Sequence, residues 1–198
     1  VGVCVYHCQS VSGMKLTYTD RRVEVVRASS LRSGCAVISD GPSGNLAVPQ
    51  PAKSVELSRY LGRWYEVGRY EASFQKDCEA VTADYSLNDN GTIKVVNSCR
   101  QVAIDGKLRI AKGKAKIVEG SENAKLRVSF FGPFYGDYWV LDRADNYSWA
   151  IVGEPSGRYL WLLARTANPD EDVKSNLLQR AAALGYDVSL IRPTRHPQ

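Results

Sequence analysis

Cysteine is the residue type in this 198-residue chain with the clearest capacity for covalent chemistry, and two of its five cysteines are spaced for a disulfide. Cys78 and Cys99 bracket a predicted hairpin, in which strands over 81–87 and 92–98 flank the turn Asn88-Asp89-Asn90-Gly91. Folding that hairpin brings the two sulfurs to its open end, within bridging range. We therefore predict a Cys78–Cys99 disulfide and an oxidising compartment. The alternative is a pair of reduced thiols in a cytosolic protein.

The other three cysteines lie within the first 35 residues. Cys4-x-x-His7-Cys8 has metal-like spacing, but it supplies three ligands without a nearby fourth, so we expect no zinc site. Cys35 follows Leu31-Arg32-Ser33-Gly34, and the Ser-Gly-Cys ending resembles a bacterial lipoprotein processing site, where the cysteine becomes acylated. Arg32 stands where an aliphatic residue is expected, and residues 20–34 lack the apolar core of a signal peptide. Acylation of Cys35 and an unmodified tail therefore both stay open.

Histidine chemistry is disfavoured, because the only two histidines are His7 and His196, near opposite ends of the chain. No motif indicates a cofactor. No apolar stretch approaches the ~20 residues of a membrane-spanning helix, which excludes a polytopic membrane protein. The net charge is +5, of which the first 35 residues contribute +3, so the remainder is only mildly basic and we expect no nucleic-acid partner.

The chain divides into a leader with a linker and one domain. We predict that residues 1–56 form an atypical and disordered N-terminal segment, because residues 36–56 contain the glycines and prolines typical of a linker. The domain is predicted to span residues 57–198. One domain of about this size is normal for the length.

Short runs with alternating apolar residues indicate that this domain is all-β. Val81, Ala83, Tyr85 and Leu87 share one face of such a run, and similar runs cover 93–97, 112–117 and 126–130. Short turns between them favour an antiparallel meander, and closing the sheet removes its exposed edges. We predict an eight-stranded antiparallel up-and-down barrel.

A C-terminal helix is predicted to pack outside the barrel. Runs 147–152 and 159–164 are apolar on both faces, so another element must cover their outer side. Asn168 suits an N-cap, Pro169 suits the first turn, and Gly185 suits the end of the helix. Apolar residues between these signals recur at helical spacing.

The inward face of the barrel mixes small residues with aromatic ones, which favours a cavity over a solid core. From alternation we predict that these residues line it: Tyr85, Val95, Ala115, Ile117, Val128, Phe130, Tyr138, Val140 and Leu162. The parity of Tyr138 and Val140 stays open, because Trp139 and Leu141 are equally apolar. Glu66 is the carboxylate expected to face inward, at the closed base near Trp64.

Three sequence blocks resemble the lipocalin family, in particular its subgroup of bacterial outer-membrane lipoproteins. They are Tyr60-Leu61-Gly62-Arg63-Trp64-Tyr65-Glu66, Val128-Ser129-Phe130-Phe131-Gly132-Pro133-Phe134-Tyr135-Gly136 and Tyr159-Leu160-Trp161-Leu162-Leu163-Ala164-Arg165-Thr166. The resemblance covers residues 57–192. It implies that Trp64 closes the base of the barrel, that Arg165 packs across Trp64, and that Gly62 allows a close chain approach.

The resemblance implies that the protein binds and carries a small hydrophobic molecule, a fatty acid or a lysophospholipid, in maintenance and repair of the bacterial envelope. The implied location is the periplasmic side of the outer membrane, anchored through Cys35, or alternatively the soluble periplasm. An envelope interaction module without a ligand is one alternative, with a homodimer through the apolar segment 132–136. An enzyme on a lipophilic substrate is another, but we expect none because no catalytic constellation is present. The row Lys112, Lys114 and Lys116 is interpreted as a solvated outer face.

Overall fold

A closed meander of strands forms the protein in the computed structural model, which describes residues 42–198. The strands within these residues are β1 (Gly62–Tyr70), β2 (Cys78–Leu87), β3 (Ile93–Gln101), β4 (Leu108–Ile117), β5 (Lys125–Phe131), β6 (Phe134–Arg143), β7 (Trp149–Gly153), β8 (Leu160–Ala164) and β9 (Ile191–Pro193). Each of β1 to β7 pairs antiparallel with the next strand, and β8 pairs antiparallel with β1. The predicted eight-stranded up-and-down barrel is therefore confirmed.

Strand β9 was not predicted. Pairing of β1 with β2 extends only to Tyr65–Thr82. On the other edge of β1, the pairing with β8 shifts its register between Glu66 and Gly68. From Gly68 onward the freed edge of β1 pairs with β9 instead. The added strand supplies partners for backbone groups of β1 that β2 no longer reaches.

The meander gives the barrel two distinct ends, because successive connections fall at opposite ends. One end holds the start of β1, the residue after β8 and the connections 88–92, 118–124 and 144–148; we call it the base. The other end holds the connections 71–77, 102–107, 132–133 and 154–159; we call it the mouth. A short helix, α1 (Leu57–Tyr60), precedes β1 at the base.

The predicted C-terminal helix is α2 (Glu171–Ala183). Its N-cap is Asp170, whose carboxylate accepts from the Val173 amide at 2.9 Å. The predicted N-cap, Asn168, lies two positions earlier and instead donates to the Pro197 carbonyl at 2.7 Å. Asp170 is also a good cap and lies directly before the helical spacing, which explains the later start. No helix within residues 42–198 has the length and apolar character needed to cross a membrane.

Two apolar clusters lie on the two sides of the barrel wall. The interior cluster includes Tyr60, Trp64, Tyr85, Val95, Ala115, Val128, Tyr138, Val140, Trp161 and Leu163. The outer cluster lies between α2 and the wall and includes Leu141, Ile151, Leu160, Leu162, Leu177 and Ala181. Helix α2 therefore covers the strands that are apolar on both faces.

Residues 42–56, which we predicted to be disordered linker, are packed against the domain. The Asn45 side chain donates to the Leu184 carbonyl at 2.9 Å, and Val55 is buried with its amide bonded to the Glu122 carbonyl. Glycine and proline indicate irregular backbone, but they do not tell whether that backbone is bound to a neighbour. Residues 1–41, with Cys4, His7, Cys8 and Cys35, lie outside the described residues.

Candidate functional site

The base of the barrel is closed by Trp64 and Arg165. Trp64 is fully buried, and its indole N–H donates to the Tyr60 carbonyl at 2.8 Å. The Arg165 guanidinium carbon lies 3.7 Å from the centroid of the Trp64 ring, in a cation–π contact. The same guanidinium donates to the carbonyls of Arg63 at 2.8 Å and Arg59 at 2.6 Å. Arg165 therefore ties together the chain before β1 and the indole that plugs the barrel.

Gly62 adopts a backbone conformation that favours glycine. Its φ is +93°, in the left-handed region that favours glycine. A Cβ built there would lie 3.6 Å from the Arg165 Nη1 atom, an ordinary van der Waals distance, so glycine is favoured here by the backbone conformation rather than by a close approach. Gly62, Trp64 and Arg165, to which the family resemblance gave a joint structural role, lie together at the base.

Three tyrosine hydroxyls form a buried layer above this plug. Tyr60 and Tyr138 share a hydrogen bond of 2.7 Å, and Tyr85 donates to Tyr138 at 2.9 Å. Burial raises the pKa of Tyr85 to about 12 and the pKa values of Tyr60 and Tyr138 well above the ordinary value of 10.0. All three therefore stay neutral at physiological pH and present a floor of rings with mutually satisfied hydroxyls.

Glu66 is buried in the wall, and its carboxylate is fully engaged. Arg69 donates to it at 2.7 Å, and Gln75 and the Thr194 hydroxyl also donate. Burial opposes the charge on Arg69, but the carboxylates of Glu66 and Glu71 outweigh it and raise the pKa of Arg69. We predicted Glu66 at the base; its bond to Gln75 instead brings its carboxylate to the loop that covers the mouth.

That loop, residues 71–77, is here called the mouth loop. Its short 3-10 helix, Ser73–Gln75, places the buried Gln75 side chain between two strands. Gln75 donates to Glu66 and accepts from the indole N–H of Trp161 at 3.1 Å. The Phe74 ring lies 5.7 Å from that of Tyr159. Arg69 also donates to the Gln75 carbonyl and to the Glu71 carboxylate, each at 3.1 Å, and Glu71 pairs with Arg192 at 3.1 Å. The mouth loop is thus held by the Gln75 amide, a ring contact and the ion pairs of Glu71.

A cavity of about 30 Å³ lies beneath the mouth loop. Its walls are Glu66, Gln75, Val81, Thr82, Ala83, Tyr85, Asn97, Tyr138, Trp161 and Leu163. The Asn97 amide oxygen is buried there without a hydrogen-bond partner among residues 42–198. Typical sites for small molecules measure ~300–1,000 Å³. With the mouth loop in this position, the interior therefore has room for about one water molecule.

The structure places most of the predicted lining residues in the barrel interior, although only Tyr85 and Tyr138 border the cavity. Val95, Ala115, Val128 and Val140 are buried in the interior cluster, and Ile117 and Phe130 pack against it partly buried. For β6, the interior positions are therefore Tyr138 and Val140, rather than Trp139 and Leu141.

The prediction that Leu162 lines the cavity is wrong. It lies in the outer cluster with Leu177 of α2, whereas its neighbours Trp161 and Leu163 lie in the interior cluster. Strand β8 is apolar on both faces, so alternation alone does not assign its parity. Arg165 could have indicated the correct parity. It must reach Trp64 in the interior, and by alternation it lies on the same side as Trp161 and Leu163.

The predicted disulfide joins Cys78 to Cys99, with Cα atoms 5.5 Å apart. Both cysteines are buried at the mouth end of β2 and β3. Close by, Glu79 is held by Arg192 at 2.6 Å and Arg195 at 3.2 Å. These contacts fasten the C-terminal segment to the start of β2.

Comparison with known proteins agrees with this architecture. The family model for the lipocalin-like domain matches residues 55–196. Outer membrane lipoprotein Blc of Vibrio cholerae serotype O1 is 40% identical over 157 residues, which cover 78% of this chain and 91% of that protein. Temperature-induced lipocalin-1 of Arabidopsis thaliana is 38% identical over 151 residues, covering 72% of this chain and 80% of that protein.

Among solved structures, insecticyanin of the tobacco hornworm Manduca sexta is similar in fold. Its TM-score is 0.63 at 20% identity, and the match covers 79% of this chain and 89% of that chain. At this identity the likeness shows the fold alone. The family model and the relatives match the amino-acid sequence as well as the fold, and Trp64 and Arg165 both lie within the matched residues. The chain belongs to the lipocalin family.

Proposed function

We propose that this protein binds and carries a single-chain lipid, a fatty acid or a lysophospholipid, in the bacterial envelope. The observation that carries the proposal is an apolar barrel interior with unequal ends. The base is closed by the buried Trp64 under Arg165, whereas the mouth is covered only by the loop 71–77. A ligand therefore has one route in, through the mouth.

The interior suits an acyl chain inserted tail first. The deep wall consists of aliphatic side chains and tyrosine rings whose hydroxyls bond to each other. Burial of each methylene of a chain there contributes about 0.8 kcal/mol. Near the mouth, the Asn97 amide oxygen has no hydrogen-bond partner among residues 42–198 and is positioned to accept one from a glycerol hydroxyl. The Gln75 amide lies beside it in the cavity wall.

Binding requires the mouth loop to move, because the present cavity of about 30 Å³ is far below the ~300 Å³ lower range of ligand sites. Displacing Phe74 and Gln75 would join the cavity to solvent. Gln75 is hydrogen-bonded to both Glu66 and Trp161. Its displacement therefore also exposes these two polar side chains to the lipid headgroup.

The small cavity also favours a second candidate function, an envelope interaction module whose barrel is packed and carries nothing. Native mass spectrometry of protein from its own host, followed by organic extraction, separates the two. A co-purifying one-chain lipid that is lost on extraction supports the carrier. An empty protein whose tryptophan fluorescence responds to neither fatty acid nor lysophospholipid refutes the carrier, since Trp64 and Trp161 both lie in the interior cluster.

We further propose that the protein acts without catalysis. The groups available for acid–base chemistry in the interior are occupied: Glu66 has three donors, and burial keeps the tyrosines protonated. Lysophospholipid and epoxide substrates should show no turnover above buffer. Measurable turnover that is lost in Glu66→Gln would overturn this assignment.

The proposed location is the periplasmic face of the outer membrane, with the soluble periplasm as the alternative. The disulfide suits an oxidising compartment, and the Vibrio cholerae relative is named an outer membrane lipoprotein. Fractionation with intact mass measurement tests both. A diacylglyceryl mass on a chain that starts at Cys35 supports the anchored form, and an unmodified chain in the periplasmic fraction supports the soluble one.

A further inference from the structure

The mouth of the barrel carries large apolar side chains that are exposed to solvent. Leu108 and Ile110 begin β4 with exposed fractions of 46% and 54%. Phe131 and Phe134 flank the β5–β6 turn with exposed fractions of 67% and 44%. Exposed apolar groups that cluster, rather than lie singly, mark interaction sites.

These four residues form one surface, which we call the mouth patch. Phe131 and Phe134 are paired across the hairpin. Pairing of β4 with β5 runs to Lys114–Ser129, and a Cβ on Gly113 would lie 2.9 Å from the Phe130 ring. Continuing this register places Lys112 opposite Phe131 and the start of β4 beyond the β5–β6 turn. Ile110, two positions before Lys112 and on the same face of β4, therefore lies diagonal to Phe131 at ~8 Å, and Leu108 continues this face ~7 Å further along β4.

Basic residues flank the mouth patch along the chain. Residues 100–116 contain six basic residues and one acidic residue. Lys107, Arg109 and Lys112 are exposed, and none of them makes an ion pair within residues 42–198. Exposed apolar side chains flanked by exposed basic ones are complementary to an interface that is apolar inside and anionic at its surface.

We propose that the mouth patch docks the protein on an anionic phospholipid bilayer. The four apolar side chains enter the acyl boundary, and Lys107, Arg109 and Lys112 contact the headgroup phosphates. The patch lies at the ends of two hairpins and projects from the barrel. A fluid bilayer accepts such protrusions without the matching concave surface that a protein partner needs. Docking faces the mouth toward the membrane, and it does not depend on whether the interior carries lipid.

The test is cosedimentation of the full chain, verified by mass to carry no acyl group at Cys35, with phosphatidylcholine vesicles. We expect binding when about 30 mol% phosphatidylglycerol is present, and its loss at about 1 M salt, where the Debye length falls to ~3 Å. Ile110→Ser with Phe131→Ser should lower the partition coefficient about tenfold or more. Lys112→Gln should lower it about fivefold.

Two matched controls lie at the base. Leu87, with an exposed fraction of 55%, is as exposed as Ile110 but lies at the β2–β3 turn. Lys94 is exposed, makes no ion pair within residues 42–198 and lies at the start of β3, at the base. Leu87→Ser and Lys94→Gln should leave vesicle binding within about twofold of wild type. All of these substitutions are at exposed positions, so melting temperatures should agree with wild type.

Equal binding to neutral and anionic vesicles, or equal losses in the base and mouth variants, would overturn the proposal. So would a dimer in analytical ultracentrifugation that Phe131→Ser dissociates while vesicle binding persists, because the patch would then be a self-association surface. Fatty-acid titration without vesicles should be unaffected by the mouth variants. A failure of docking is thereby distinguished from a failure of the carrier function.

Discussion

Removing the Gln75 side chain should weaken the closed state of the mouth loop without disturbing the barrel, while the ion pairs of Glu71 with Arg69 and Arg192 remain. In Gln75→Ala, the Trp161 indole N–H and one Glu66 carboxylate oxygen lose their partner in the closed state. The neutral bond contributes about 0.5–1.5 kcal/mol and the bond to the charged group about 1.5–3 kcal/mol. We therefore expect the closed loop to lose about 3 kcal/mol, which raises the open population roughly 150-fold.

Two assays follow this change. Hydrogen exchange of the Gln75 and Lys76 amides, which bond within the loop, should accelerate by about the same factor in Gln75→Ala. Stopped-flow tryptophan fluorescence should show faster association of lysophospholipid, because loop opening precedes uptake. Hydrogen exchange needs no ligand, so it tests the role of Gln75 in closing the mouth loop separately from the carrier proposal.

Ser73→Ala is the matched control in the same loop, because Ser73 is exposed and its hydroxyl makes no hydrogen bond within the described part of the chain. It should leave both rates unchanged. If Gln75→Ala alters neither amide exchange nor association, Gln75 does not hold the loop closed. If exchange accelerates and association does not, the ligand enters by another route.

Four further predictions concern the base, the disulfide and the C-terminal segment. Arg165→Lys loses its two-sided grip on backbone carbonyls and the planar cation over the indole, and should lower the free energy of unfolding by about 3 kcal/mol in urea titration. Gly62→Ala places a Cβ at a φ of +93°, and the same titration should show a loss of about 1–2 kcal/mol. Replacing both Cys78 and Cys99 by serine should cost about 2–4 kcal/mol, and reduction of the wild type should reproduce the shift in thermal unfolding. At Glu79, burial opposes the charged form, but bonds from the segment around Arg195 lower the pKa below its ordinary value of 4.5. Its contribution to stability is therefore complete above about pH 4.5 and lost as the pH falls through the lowered pKa. Melting temperatures measured across this range should show a smaller acid-side decline in Glu79→Gln.

The alternation of short apolar runs was sufficient to predict the barrel and its closure. It predicted the inward positions of β3, β4 and β5 because one face of those strands is polar, as with Lys112 and Lys114 on β4. The helix was predicted from the helical spacing of its apolar residues and from its capping residues. Its start differs by two residues because Asn168 and Asp170 are both good caps. The disulfide followed from the hairpin alone, since strand pairing fixes where two flanking sulfurs meet.

The tertiary structure decided what local patterns leave undetermined. Leu162 was misplaced because both faces of β8 are apolar, and only packing against α2 identifies the outer one. Residues 42–56 were expected to be disordered, because their composition records backbone irregularity but not the surface that binds it. The engagement of Glu66 joins residues far apart in sequence, Thr194 among them. Periodicity within a strand reports which face is apolar, whereas loop closure, cavity size and charge pairing depend on distances between segments that no local pattern contains.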